Sequence, residues 1–306
     1  MTQSYHGSRD CQPVHLDRGV RLVYNAQTMT IAIRDLTRYE EFIQVREIQQ
    51  QCWGFTQGEG LYPPVLNTAA HNGGTVLGAF DDGRMIGFLF GFLGLHEGRR
   101  LKLCSQTMGV LPEYRNRGIA AAIKWAQRER MLALDIDLIT WTYDPLEAPN
   151  ARLNLHTLGA IAREYKRNIY GEDFGALGRG LPSDRFLVEW WVKNEGVKRR
   201  AAGHGLEPID LDSPIVNPCV DEGMARRIAA VNLDAAGPVL RVEIPTDIQA
   251  VKQVDMPLAI DWRLKTREIF ETYFERGYRV VDLIRAGEDR ERRNYYVLYS
   301  SSYWSS

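Results

Sequence analysis

The residues best equipped for chemistry lie between Gln106 and Ala120. A strand, Leu101–Val110, runs to Leu111-Pro112, and Arg115-Asn116-Arg117-Gly118-Ile119-Ala120 then forms a tight turn that opens a helix reaching about Leu134. The first N–H groups of a helix have no partner within it, and the helix dipole adds partial positive charge there. Such a terminus favours a phosphate or pyrophosphate. Gly118 carries no side chain to hold an anion away from the backbone, and Ala120 keeps the next turn small. Arg115 and Arg117 add formal charge and fork-shaped donors suited to phosphate oxygens. Taken alone, these six residues also describe an ordinary helix start with two solvated arginines and a structural glycine.

The surrounding pattern decides between those readings. Met29–Arg34 alternates as a strand, and Asp35 or Thr37 can cap a helix through Gln51 in which Phe42, Val45 and Ile48 share a face. Trp53–Gly60 reads as a loop, and Pro63-Pro64 opens a short helix through Ala70. Thr75–Phe80 and Arg84–Leu95 flank Asp81-Asp82-Gly83, a strong hairpin signal. The second run is almost wholly apolar, which predicts a central strand buried on both faces. After the motif helix come a strand at Asp137–Tyr143, a helix at Asn150–Leu158 closed by Gly159, and strands at Ala162–Tyr170 and Arg185–Lys193. The loop carrying Gly175, Gly178 and Gly180 between them could serve as a lid. Beyond Asn194, a polar connection to about Pro218 leads to an expected helix at Glu222–Val231, a strand at Val239–Ile244, a long helix from Pro257 to Gly277, and a hairpin of Tyr278–Ile284 with Tyr295–Tyr299. Three segments follow: a polar, unpatterned tail at 1–28, a main α/β domain at 29–194, and a smaller α/β unit at 195–306.

The R-x-x-G-x-A spacing at Arg115–Ala120, set after a strand and before a helix in this order of elements, resembles the coenzyme A signature of the GNAT superfamily of N-acyltransferases. The resemblance covers about residues 29–193. It implies a mixed, mainly antiparallel central sheet flanked by helices, with the C-terminal unit appended. It implies acetyl-CoA or another acyl-CoA as cosubstrate and no metal. The pyrophosphate would lie on Arg115, Asn116, Arg117, Gly118, Ile119 and Ala120, and the pantetheine arm would pair with the backbones of Met108 and Val110 like an added strand. Asn150–Ala160 resembles the family's asparagine-bearing helix, which makes Asn154 a further cofactor contact. The family usually places a tyrosine four residues before the glycine to protonate the leaving thiolate, but Leu155 stands there in this chain. Either another group supplies the proton or the thiolate leaves without one. A base for the acceptor amine need only reach it directly or through water, and Asp144, His156 and Tyr170 are the candidates. Each also has a plainer role, as turn former, exposed helical residue and packed strand aromatic respectively. The Asp144-Pro145-Leu146-Glu147 segment resembles a long bacterial branch of the superfamily.

Composition narrows the remaining classes. The chain has 306 residues, is 44% hydrophobic and 25% charged, and balances 38 basic against 39 acidic residues. That suits a cytoplasmic globular protein and disfavours a dedicated nucleic-acid binder. No apolar run is long enough to span a membrane. Cys11, Cys52, Cys104 and Cys219 are widely spaced, as reduced thiols would be. No phosphate loop, nucleophile elbow or metal motif occurs. Three readings stay open: an N-acyltransferase acting on a small amine such as an amino acid, an acyl-CoA-binding sensor without catalysis, and a protein N-acyltransferase. The unit at 195–306 could cover the acceptor site, dock a target or mediate a homodimer.

Overall fold

The computed structural model describes residues 22–26, 29–56, 58–171, 178–204, 212–222, 225–287 and 292–304. Eleven strands form one mixed sheet in the order β1-β2-β3-β4-β5-β6-β8-β7-β12-β13-β11. These are Leu22–Ala26 (β1), Met29–Asp35 (β2), Thr75–Asp81 (β3), Arg84–His96 (β4), Arg100–Val110 (β5), Leu138–Tyr143 (β6), Ile161–Lys166 (β7), Arg185–Trp191 (β8), Val239–Ile244 (β11), Arg279–Ala286 (β12) and Arg293–Tyr299 (β13). Every neighbouring pair is antiparallel except β5 and β6, which run parallel. The mixed, mainly antiparallel sheet flanked by helices is therefore present.

Local chemistry accounts for the first half. The hairpin joining β3 to β4 closes at Asp81↔Arg84 with Asp82 and Gly83 both at positive φ, the geometry a two-residue hairpin turn demands. From Met85 to Gly91, β4 is buried on both faces. Helix α1, Tyr39–Trp53, turns Phe42, Val45 and Ile48 into the core, and α2, Pro63–His71, begins with two prolines, which have no N–H to leave unpaired. Helix α3, Ile119–Ala133, covers the opposite face with Ile119, Ile123 and Ala126 fully buried.

The second half departs from expectation in several places. Leu22–Ala26 pairs with β2 as an edge strand, so patterned structure begins ahead of Met29. The helix expected at Asn150–Leu158 is a short α-helix, α4, Ala148–Ala151, that widens into a π-turn over Arg152–Thr157, marked by Leu158 N–H bonding to Leu153 C=O. Glu195–Ala201, expected within a polar connection, is a helix, α5, capped by Asn194. The helix expected at Glu222–Val231 is instead a two-stranded ribbon of Cys219–Glu222 (β9) and Ala225–Ile228 (β10). There Arg226 grips Glu243 of β11 with two guanidinium nitrogens and its carbonyl accepts Trp262 Nε1–H, long-range contacts against which helix propensity is a weak preference. Helix α6, Ile248–Val254, leads into the long helix α7, Met256–Glu275, capped by Asp255; α8 is Ser301–Trp304. The C-terminal strands continue the same sheet, since Val280 of β12 pairs with Ala162 of β7.

Buried apolar side chains gather into two large cores. One lies around β2–β5 with α1, α2 and the N-terminal part of α3. The other spans β6–β8, α4, α7 and β11–β13. They meet along α3, at the junction of β5 and β6.

Candidate active site

β5 and β6 share only two residue pairs, Leu103↔Ile139 and Cys104↔Thr140. β5 stays with β4 as far as Val110↔Gly87, while β6 follows β8 from Leu138 to Tyr143. The strands therefore separate, and Ser105–Val110 presents a backbone edge that no described strand covers. At about 3.3 Å per residue this edge is roughly 17–20 Å long. A bulge marks where it begins: Phe90 pairs with Thr107 and Gly91 with Ser105, so Gln106 is the extra residue on β5.

The far end of the edge leads into the arginine turn. Leu111 N–H holds Ile86 C=O at 2.9 Å, and a single 3-10 turn, Pro112–Tyr114, redirects the chain. Asn116 and Gly118 take φ of 61° and 77°. Asparagine and glycine tolerate that left-handed region best, which is why the turn forms with these residues. Ala122 N–H makes a helical bond to Gly118 C=O at 3.0 Å, so the N–H groups of Ile119, Ala120 and Ala121 stand ahead of the α3 ladder. Ile119 is buried and anchors the helix end, and its backbone alone faces the turn. Arg115 bends back, its Nε 3.2 Å from Val110 O and an Nη 3.4 Å from Cys52 O. It thereby clamps the end of β5 to the end of α1 while its remaining N–H groups stay at the exposed turn. Arg117 lies 5.5 Å from the Tyr114 ring centre, and the Tyr114 hydroxyl is fixed by Asp81 at 3.0 Å. Met108 is half-buried against the N-terminal core.

Where the strands part, the sheet has two unlike faces. On the α2 face a cavity of about 550 Å³ is lined by Tyr62, Val65, Ala69, Phe90, Phe92 and Gln106 among others, and none of its lining residues is charged. On the α3 face, against Ser105, Lys124 is buried. Its Nζ donates to Ser105 Oγ at 2.7 Å and to Gln127 Oε1 at 3.3 Å, and lies 3.8 Å from the ring centre of Trp141 on β6. Gln127 in turn donates to Thr75 Oγ1 at 2.9 Å. Burial pushes the Lys124 ammonium down to about 7, since the charged form loses its water without gaining a counter-ion. Lys124 is not among the residues that the sequence singles out. The available signal was its place one residue after Ile123, on the stripe that must face the sheet.

The other expected residues fall in different surroundings. Asp144 is engaged through both carboxylate oxygens by Arg263 of α7, at 2.6 and 2.5 Å, and it accepts Leu146 N–H at 2.9 Å. It is thus the counter-ion of a fully buried guanidinium and the former of the turn at Pro145. His156 holds the buried Asp282 of β12 through Nδ1 at 3.1 Å, which ties the π-turn to the C-terminal hairpin. Asn154 is buried in that same π-turn and Leu155 is wholly within the C-terminal core. Tyr170 is the exception. Its hydroxyl lies 2.8 Å from Thr142 Oγ1, two residues beyond the last β5–β6 pair. Thr142 alternates with Trp141, so Tyr170 stands on the α2 face, the same face as Gln106. The lid reading of the Gly171–Gly180 loop rests largely on 172–177, outside the described residues. Among the described residues no cluster of histidine, cysteine and acidic side chains could hold a metal, no helix is long and apolar enough to cross a membrane, and Cys52, Cys104 and Cys219 are free thiols.

Residues 42–158 match the model of the family described as the acetyltransferase (GNAT) family. No protein of curated function matches the chain. Among solved structures it is similar to the ribosomal-protein-S18-alanine N-acetyltransferase of Escherichia coli, at 14% identity over 54% of this chain and 97% of that one, with a TM-score of 0.42. It is similar to a chain of the NatC complex bound to Gag peptide and CoA, at 17% identity over 52% and 96% with a TM-score of 0.42. It is also similar to a putative acetyltransferase of the GNAT family from Desulfovibrio desulfuricans, at 16% identity over 53% and 99%, again with a TM-score of 0.42.

Proposed function

We propose that the chain, whose residues 42–158 match the GNAT acetyltransferase family, is an acyl-CoA-dependent N-acyltransferase that moves an acetyl or succinyl group to the amine of a small molecule. The observation carrying this reading is the gap between β5 and β6, which opens at one end on the cavity beside Gln106 and at the other on the α3 terminus. An extended pantetheine arm can add to the free β5 edge as a strand would, bonding to the backbone of Met108 and Val110. The pyrophosphate then meets the N–H groups of Ile119, Ala120 and Ala121, with Arg115, Asn116 and Arg117 around it. This path delivers the thioester to the bulge at Gln106. Backbone N–H groups at the bulge can stabilise the oxyanion formed when the amine attacks.

The cavity on the α2 face is the acceptor site in this reading. Its mainly apolar lining, with Thr68, Asn72 and Gln106 as uncharged polar groups and no carboxylate, suits an amine carried on a compact apolar or zwitterionic body better than a polyamine or a lysine-rich peptide. Tyr170 is the candidate base, acting directly or through one water, because it stands on that face. One observation favours the sensor alternative: Leu155 is sealed in the core where the family has its acid.

Titration calorimetry with acetyl-CoA and succinyl-CoA, followed by thiol release across a panel of amines, tests the proposal. Binding with amine-dependent release is expected; binding without release for any amine favours the sensor. Gly118→Asp should lower coenzyme A affinity at least 100-fold, because a side chain and a negative charge enter the anion site. Unchanged affinity in the folded variant removes the reading.

A further inference from the structure

Of the buried ionisable groups in the described structure, Lys124 is set apart by its position. It sits at the root of the gap, between Ser105 at the start of the free β5 edge and Trp141 at the start of the free part of β6. Its hydrogen bonds to Ser105 and Gln127 use two of the three donors of an ammonium. The groups packed on it from β5, α3, β3 and β6 are Ser105, Gln127, Thr75 behind Gln127, and Trp141, all of them uncharged. Arg128, one turn further along α3, is directed to Val192 O and Glu129. A lysine in such a place strains the fold, and a leucine or methionine would fill it without cost in desolvation. Position and chemistry together call for a transient anion at this point.

We propose that Lys124 is the acid of this site, protonating the sulfur of coenzyme A as the thiolate departs. The inference rests on the acyltransferase reading, which brings the sulfur to the bulge at Gln106, one residue from Ser105. The acceptor nitrogen forms its bond to the acyl carbon, the carbon–sulfur bond breaks, and the sulfur takes the electron pair. Nζ then gives its third proton to the sulfur and becomes a neutral amine, which is recharged by the proton the acceptor nitrogen releases. Lys124 thus fills from α3 the role left open by Leu155 in the π-turn. Its lowered affinity for protons makes the transfer favourable near neutrality, where an ordinary lysine would hold its proton too tightly.

The test uses the full chain, acetyl-CoA, and hydroxylamine as a probe acceptor small enough to enter the cavity and already unprotonated above neutral pH. Thiol release is followed in single turnover from pH 6 to 9. In the wild type the rate should fall as the pH rises past about 7, because the acid loses its proton. Lys124→Met should bind acetyl-CoA with wild-type affinity yet release thiol about 100-fold more slowly or worse, with no fall at alkaline pH. Lys124→Arg keeps the charge but does not give up a proton, so it should be equally slow. Wild-type rates and pH profile in Lys124→Met, full rescue by Lys124→Arg, or a wild type that binds acetyl-CoA but releases no thiol would each overturn the acid role. Failure of the wild type to bind acetyl-CoA would overturn the acyltransferase reading instead.

Discussion

Each half of the molecule buries a cation, and the two are housed differently. In the C-terminal half, Arg263 of α7 is fully buried, but Asp144 meets it with both carboxylate oxygens. In the N-terminal half, Lys124 of α3 is equally sealed and has only a hydroxyl, an amide oxygen and an indole ring for company. A paired buried charge fixes geometry: the Arg263–Asp144 bond fastens α7 to the end of β6 and orders the turn at Pro145. A buried charge without a counter-ion fixes nothing that an apolar residue could not fix better. Such perturbed groups concentrate where chemistry occurs. Asp144, one of three candidate bases in the sequence and also read there as a turn former, holds a structural pairing, whereas Lys124 was not a candidate at all.

Removing the paired cation should have the largest effect. Arg263→Met leaves the partly buried Asp144 with only the more distant Arg185, 3.7 Å away, and is expected to cost about 3 kcal/mol, read as a lowered denaturation midpoint with coenzyme A affinity unchanged in the protein that remains folded. A loss below about 1 kcal/mol would mean that the two cations are not different in kind. For Lys124 the expected change is smaller and of opposite sign. Its proton affinity falls from an ordinary 10.5 to about 7 on folding. Between those values the unfolded chain binds the proton and the folded chain does not, so stability is greatest above 10.5 and is lost as the pH falls through 7. Wild-type stability should rise by about 2–3 kcal/mol from pH 7 to pH 9 relative to Lys124→Met, measured by urea unfolding of both. Parallel curves would show that Lys124 is hydrated in solution. An exposed pair supplies the lower bound: Arg84→Ala, which releases Glu113 at the surface, should leave the melting temperature unchanged.

How far the sequence could be read follows from the same contrast. The β3–β4 turn and the arginine turn were legible because their causes are local: Asp82-Gly83 and Asn116-x-Gly118 supply positive φ where the chain must reverse. The strands from β2 to β6 were legible as elements because β2 alternates, β4 is almost wholly apolar and turn signals bound the runs, whereas the edge strand β1 was not. Lys124 was not, since Ser105 and Thr75 reach its network from 19 and 52 residues away along the pairs that carry it. Nor was the fate of Asp144, whose partner lies 119 residues further on. The β9–β10 ribbon was not legible for the same reason, because its partners Glu243 and Trp262 lie 17 and 36 residues away. The bulge at Gln106 leaves no mark in composition, and only the register of β4 against β5 reveals it.

The two-pair ladder between β5 and β6 is also a mechanical seam. An eleven-stranded sheet divided into two cores, and joined across its middle by Leu103↔Ile139 and Cys104↔Thr140, bends most readily along that line. Any ligand that lies in the gap as an extra strand converts the seam into a continuous ladder. Occupancy of the site should then appear as slower amide hydrogen exchange along Ser105–Val110 and the end of β6, a stiffening shared by both half-sheets.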